Sequence, residues 1–135
     1  MKKLSLIFVA FLLATAVLTA CGSGADKQIT VASKDFTEQF ILGEMYALLL
    51  EDAGYTVERK LNLGGTPVTQ QALLDGEIDV YPEYTGTGLL TVLKLGVMSD
   101  PQAVYDTVKE EYDEQFSLAW LEPAPMHNTH ALAMT

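Results

Sequence analysis

The chain has 135 residues, with 8 basic and 18 acidic side chains, one cysteine and a net charge of −10. So acidic a surface excludes nucleic acid as a partner, because phosphate binding needs a basic face. One cysteine excludes an internal disulfide, and the length suffices for one modest core.

The chain begins with Lys2 and Lys3, continues as an apolar run from Leu4 to Leu18, and reaches Leu18-Thr19-Ala20-Cys21. A charged tip, a short apolar stretch and a small-residue cleavage point make residues 1–20 a secretory leader. The stretch is too short for a comfortable membrane span. With cysteine at the cleavage point, the segment resembles the lipobox of bacterial lipoproteins, in which that cysteine is lipidated and becomes the first residue. The alternative is an ordinary leader with an incidental cysteine. The leader holds two of the basic residues and no acids, so the remainder has 6 basic and 18 acidic groups, a charge of −12. Residues 21–27 are small and polar, a flexible tether.

Residues 28–33 (QITVAS) are short, β-branched and apolar, which predicts a buried strand. Asp35 and Glu38 have the spacing of a capping box. The helix after them carries Ile41, Met45, Leu48 and Leu49 at helical spacing and stops at Gly54. Residues 56–63 predict a second strand. Thr66 as cap and Pro67 at the first helical position open a second helix, which runs to about Asp75 and stops at Gly76. Residues 78–81 predict a third strand. Alternating strands and helices make an α/β layer with a mostly parallel sheet, whose ligands bind beyond the carboxyl ends of the strands. Residues 33–38, 64–68 and 81–87 occupy that edge and are expected to build the site.

Asp100-Pro101 begins a further helix with Val104, Val108 and Tyr112 on one stripe. Residues 118–121 are a possible strand, residues 122–125 (EPAP) are extended, and a new apolar run begins at Ala131. The pattern breaks off at Thr135, and the expectation is a piece of a longer protein.

Residues 81–87 (YPEYTGT) gather two aromatic rings, a carboxylate and two hydroxyls. Aromatic faces attract cations, and quaternary ammonium groups suit this mode because they are weakly hydrated and donate no hydrogen bond. From residue type alone, Tyr81 and Tyr84 serve equally as packing against helices. Metal spacing is wanting, since His127 and His130 lie three apart next to prolines and lack a third ligand. No phosphate loop or nucleophile elbow occurs. Glu83 has no paired acid or nucleophile that would make it a general base.

Three segments, VASKDFTEQFILGEM, NLGGTPVTQQALLDGEIDVYPEYTGT and WLEPAPMHNTHALAM, resemble the substrate-binding proteins of ABC importers for glycine betaine, choline and carnitine. The resemblance runs from Ile29 to the end. It implies a periplasmic-binding-protein fold of type II, with a ligand cleft between two lobes. One lobe would be nearly complete over residues 28–124, and residues 125–135 would cross into a second lobe. It further implies a membrane-tethered, extracytoplasmic receptor, not an enzyme and without a cofactor, that hands a quaternary ammonium osmoprotectant to a permease.

Residue by residue, Tyr84 matches an aromatic wall of the ligand cage, and Thr87 lies on the same loop. Lys34 stands where the family places a polar contact, glutamine in some members. It would pair with a ligand carboxylate, favouring a betaine over choline, or be a solvated surface lysine. His130 stands where relatives tend to have tyrosine or tryptophan, as a cage wall or as a satisfied polar residue. Since members are about twice this size, the chain alone is expected to bind ligand weakly or not at all. An amine-sensing module uncoupled from transport and a non-functional truncation product are the alternative readings.

Overall fold

The computed structural model describes residues 27–126. Strand β1 (Gln28–Ala32) leads into helix α1 (Thr37–Asp52), strand β2 (Thr56–Lys60) and helix α2 (Thr66–Leu74). A short helical turn, α3 (Thr85–Thr87), runs into a π-helical turn (Gly88–Val92), and helix α4 (Pro101–Phe116) follows. β1 and β2 pair in parallel, with Gln28 opposite Thr56 and Ala32 opposite Lys60. On the other side of β1, the predicted third strand shrinks to one parallel bridge between Val31 and Val80.

The topology puts the helices on opposite faces. The Ser33 side chain is 3.3 Å from where a Cβ on Gly43 of α1 would lie. Ala32, the neighbour on the other face, packs with Ala72 of α2, Ile78 and Tyr81. α1 turns its small side to the sheet, since Gln39, Gly43 and Ala47 are its buried residues. A Cβ at Gly43 would sit 2.8 Å from the Leu61 side chain and 3.3 Å from the Ser33 Cβ, so glycine permits this close approach. The predicted apolar residues of α1 therefore point outward, with Ile41 57 % and Leu49 65 % exposed. Close backbone approach decides the inner face here, not hydrophobic periodicity.

Two expected caps are replaced. The N-cap of α1 is Phe36, without a side-chain cap, and its carbonyl accepts from the Gln39 and Phe40 amides. α2 begins one residue earlier than predicted, with Gly65 as N-cap and Pro67 in the first turn. α4 follows the prediction: Asp100 Oδ1 accepts from the Ala103 amide at 3.0 Å. Val104, Val108 and Tyr112 are buried with Leu89. Residues 118–121 form no strand. Instead Leu118 and Trp120 pack against this cluster, and apolar contact with α4 takes the place of sheet pairing.

Candidate functional site

The three predicted loops converge beyond the strand ends. The Asn62 amide donates to Ser33 Oγ at 3.0 Å and the Leu63 amide to the Ser33 carbonyl at 3.0 Å, which draws the loop after β2 against the exit of β1. The next residue, Lys34, is 3 % exposed. Its ammonium donates to Glu83 Oε1 at 2.5 Å and to Thr66 Oγ1 at 3.4 Å, joining all three loops through one charge. The two side chains of this ion pair are 4 % and 6 % exposed. A buried pair of this kind holds only while both partners are present, because either charge left alone retains its full desolvation penalty.

Glu83 is held from several sides. Its Oε1 also accepts from the Tyr84 amide at 2.7 Å, and its Oε2 lies 3.1 Å from the Tyr81 hydroxyl. That hydroxyl is 2.9 Å from Gln70 Oε1 as well, yet it has one proton to give. Gln70 Nε2 is buried without a partner among the described residues. A half-turn of the Gln70 amide resolves both facts: Nε2 then donates to Tyr81, and Tyr81 donates to Glu83. Burial, together with the Glu83 charge, pushes the Tyr81 phenol far above its ordinary value. The hydroxyl therefore stays protonated and remains a donor.

Above the ion pair stand two aromatic rings. Phe36 and Tyr84 are stacked with centroids 6.5 Å apart and an interplanar angle of 21°. The Lys34 ammonium is 4.9 Å from the Tyr84 centroid and 5.7 Å from the Phe36 centroid, within cation–π range of both. The Tyr84 hydroxyl donates to Glu38 Oε1 at 2.9 Å, which fixes the ring between α1 and the 81–84 segment. Tyr84 is half-buried and Phe36 is 41 % exposed, so the rings stand at the solvent edge of the cluster.

The structure brings Lys34 and Tyr84 together. The alternative of a solvated Lys34 is corrected: its ammonium is buried because Glu83 supplies the counter-charge. Glu83, noted for having no catalytic partner, is an ion-pair anchor. Glu38 and Thr66 serve Tyr84 and Lys34, not the helix caps read for them. Thr87 sits half-buried on α3, and its hydroxyl takes no part in the hydrogen bonds of the cluster. Cys21 and His130 lie outside the described residues. Sequence reasoning missed Phe36, whose only signal was an aromatic residue two positions after Lys34. Among the described residues, no three His, Cys, Asp or Glu side chains gather as a metal site. Among them, too, no helix is long and apolar enough to cross a membrane.

Residues 27–135 match the family described as the substrate-binding domain of ABC-type glycine betaine transport systems. The chain is 35% identical over 131 residues to the Helicobacter pylori ergothioneine transport permease/ergothioneine binding protein EgtU, covering 96% of this chain and 23% of that protein. It is 38% identical over 112 residues to the Escherichia coli glycine betaine-binding protein YehZ, covering 82% and 37%. To the Listeria monocytogenes carnitine transport binding protein OpuCC it is 32% identical over 136 residues, covering 96% and 44%. The solved apo form of YehZ superposes with a TM-score of 0.70 at 39% identity, over 76% of this chain and 37% of that one. The chain thus spans between about a quarter and under a half of the curated relatives it matches. Its fold is that of the type II periplasmic binding proteins, as the resemblance implied, and the described residues form part of that domain.

Proposed function

Because the chain belongs to the family of substrate-binding domains of ABC-type glycine betaine transport systems, we propose that it serves as solute receptor for zwitterionic quaternary ammonium compounds. The activity is capture without chemistry. One observation carries this reading: an ammonium already rests against the Tyr84 and Phe36 rings where three loops meet. Rings that accept a lysine cation accept a trimethylammonium head on the same electrostatic grounds.

The tail follows from Lys34. A lysine ammonium has three N–H donors, and two of them are directed at Glu83 and Thr66. The third is left for a ligand carboxylate once the ammonium shifts off the rings. Glycine betaine, carnitine and ergothioneine, named for the relatives above, each combine a trimethylammonium group with a carboxylate. Choline lacks the carboxylate and ranks below them. Thr87 and His130 would complete the contacts, with His130 as a further wall. A lipid on Cys21 would hold the receptor on the outer face of the membrane, beside an ABC permease. The naming of the Helicobacter pylori relative as both permease and binding protein supports that partner.

The test is calorimetry with glycine betaine on the leaderless protein as its gene encodes it. Losing the Tyr84 ring removes a cation–π contact of about 0.5–2 kcal/mol, so Tyr84→Ala should weaken binding by about 2- to 30-fold. Unchanged affinity would count against the proposal.

A further inference from the structure

We infer that Lys34 is a tethered competitor for the ligand's head group, kept on the aromatic rings by Glu83, and that the site thereby rejects bare quaternary ammonium cations. This rests on the receptor reading above and adds how the site discriminates.

The ammonium and the two ring centroids form a triangle with sides of 4.9, 5.7 and 6.5 Å. In the described structure the protein's own cation already satisfies both rings. An approaching cation without an anionic group has two courses. It can settle beside the Lys34 charge and be repelled. Or it can push Lys34 off the rings. Glu83 then loses its 2.5 Å bond to Lys34, and a quaternary ammonium cannot replace that bond because it has no N–H. A zwitterion escapes both penalties. Its carboxylate supplies a second negative partner for Lys34, so the ammonium can shift off the rings between Glu83 and the ligand while the head group takes its place. Discrimination then comes from a repulsive element as well as an attractive one. Glu83 is its positioning residue. The carboxylate is anchored by the Tyr81 hydroxyl and the Tyr84 amide, so it cannot follow Lys34 away.

The experiment titrates two probes, glycine betaine and tetramethylammonium, into the leaderless protein and its variants. In Lys34→Met, tetramethylammonium affinity should rise at least tenfold and glycine betaine affinity should fall at least tenfold. Because that variant strands Glu83, the double variant Lys34→Met with Glu83→Gln removes both charges. There tetramethylammonium should still gain, by a smaller factor. Tetramethylammonium affinity that is unchanged or lower in the double variant would overturn the inference and leave Lys34 a purely attractive contact. A measurement on the unaltered protein is independent of variant folding. The ε-methylene protons of Lys34 should resonate upfield in the free protein and move downfield when glycine betaine saturates the site. Unshifted protons in the free protein would also overturn it. Absence of betaine binding to the unaltered protein would sink the receptor reading instead.

Discussion

The interior behind the three loops and the interior behind α4 are built from opposite materials. Behind the loops, the apolar residues Ala32, Ala72, Ile78 and Tyr81 share the interior with buried Ser33, Lys34, Gln39, Thr69 and Gln70. Behind α4, Leu89, Val104, Val108 and Tyr112 pack with Phe116, Leu118 and Trp120, and Tyr112 meets Phe116 and Trp120 edge-on at 5.3 Å. The first region is held largely by polar partners, which demand fixed positions. The second is held by apolar area, which is indifferent to small displacements. The difference separates a region that positions a site from a region that supplies stability.

Removing one charge should break the comparison most strongly. Glu83→Ala strands the Lys34 ammonium, and loss of about 3–5 kcal/mol is expected in urea unfolding. A loss under about 1 kcal/mol, the level of an exposed pair, would mean that the ion pair does not hold the loops. Two of the buried tyrosines, Tyr81 and Tyr112, give a finer contrast. Tyr81→Phe removes a hydroxyl bonded to Glu83 and should cost about 1–3 kcal/mol. The Tyr112 hydroxyl has no hydrogen-bond partner among the described residues, so Tyr112→Phe should change stability by less than about 0.5 kcal/mol or raise it. Equal losses in the two variants would erase the distinction.

Alkaline pH tests the same pair. Burial first, then the Glu83 charge, raises both phenols well above their ordinary value. A group held higher in the folded state binds more protons there, so its contribution is complete below its unfolded value of about 10 and declines as pH rises beyond that. Urea midpoints should therefore be flat up to about pH 9 and drop above about pH 10. Tyr112→Phe should lessen the drop. At Gly88 an added Cβ would lie 2.9 Å from the Trp120 ring and 3.1 Å from Val108, so Gly88→Ala should cost about 1–3 kcal/mol. A gain in place of a loss is expected at Ser117, the left-handed cap of α4 with φ of 56°. Ser117→Gly relieves that strain and should raise stability by about 0.5–1 kcal/mol in thermal unfolding.

Much of the fold was legible because its signals are local. The spacing of Val104, Val108 and Tyr112 and the Asp100 cap located α4, and Gly54 and Gly76, both at positive φ, marked the ends of α1 and α2. Even the meeting of three loops followed from strand order. What escaped has a long-range cause. Lys34 and Glu83 are 49 residues apart, and nothing near either one announces the other. Asp35 and Glu38 had capping spacing, but a hydrogen bond from Tyr84 gave Glu38 another use. The stripe of Ile41, Met45, Leu48 and Leu49 showed a helix correctly and its inner face wrongly, because Gly43 and Ala47 let the backbone come closer than large side chains would.

The seclusion of the Lys34–Glu83 pair has a consequence for working conditions. Mobile ions weaken attraction between exposed charges within about 10 Å at 0.1 M, but they reach a pair shut away from solvent far less. Binding through such groups should hold nearly constant as the medium becomes concentrated, even on a strongly acidic body. For the receptor proposed above, such contacts would keep working under osmotic stress, when contacts on an open surface fail.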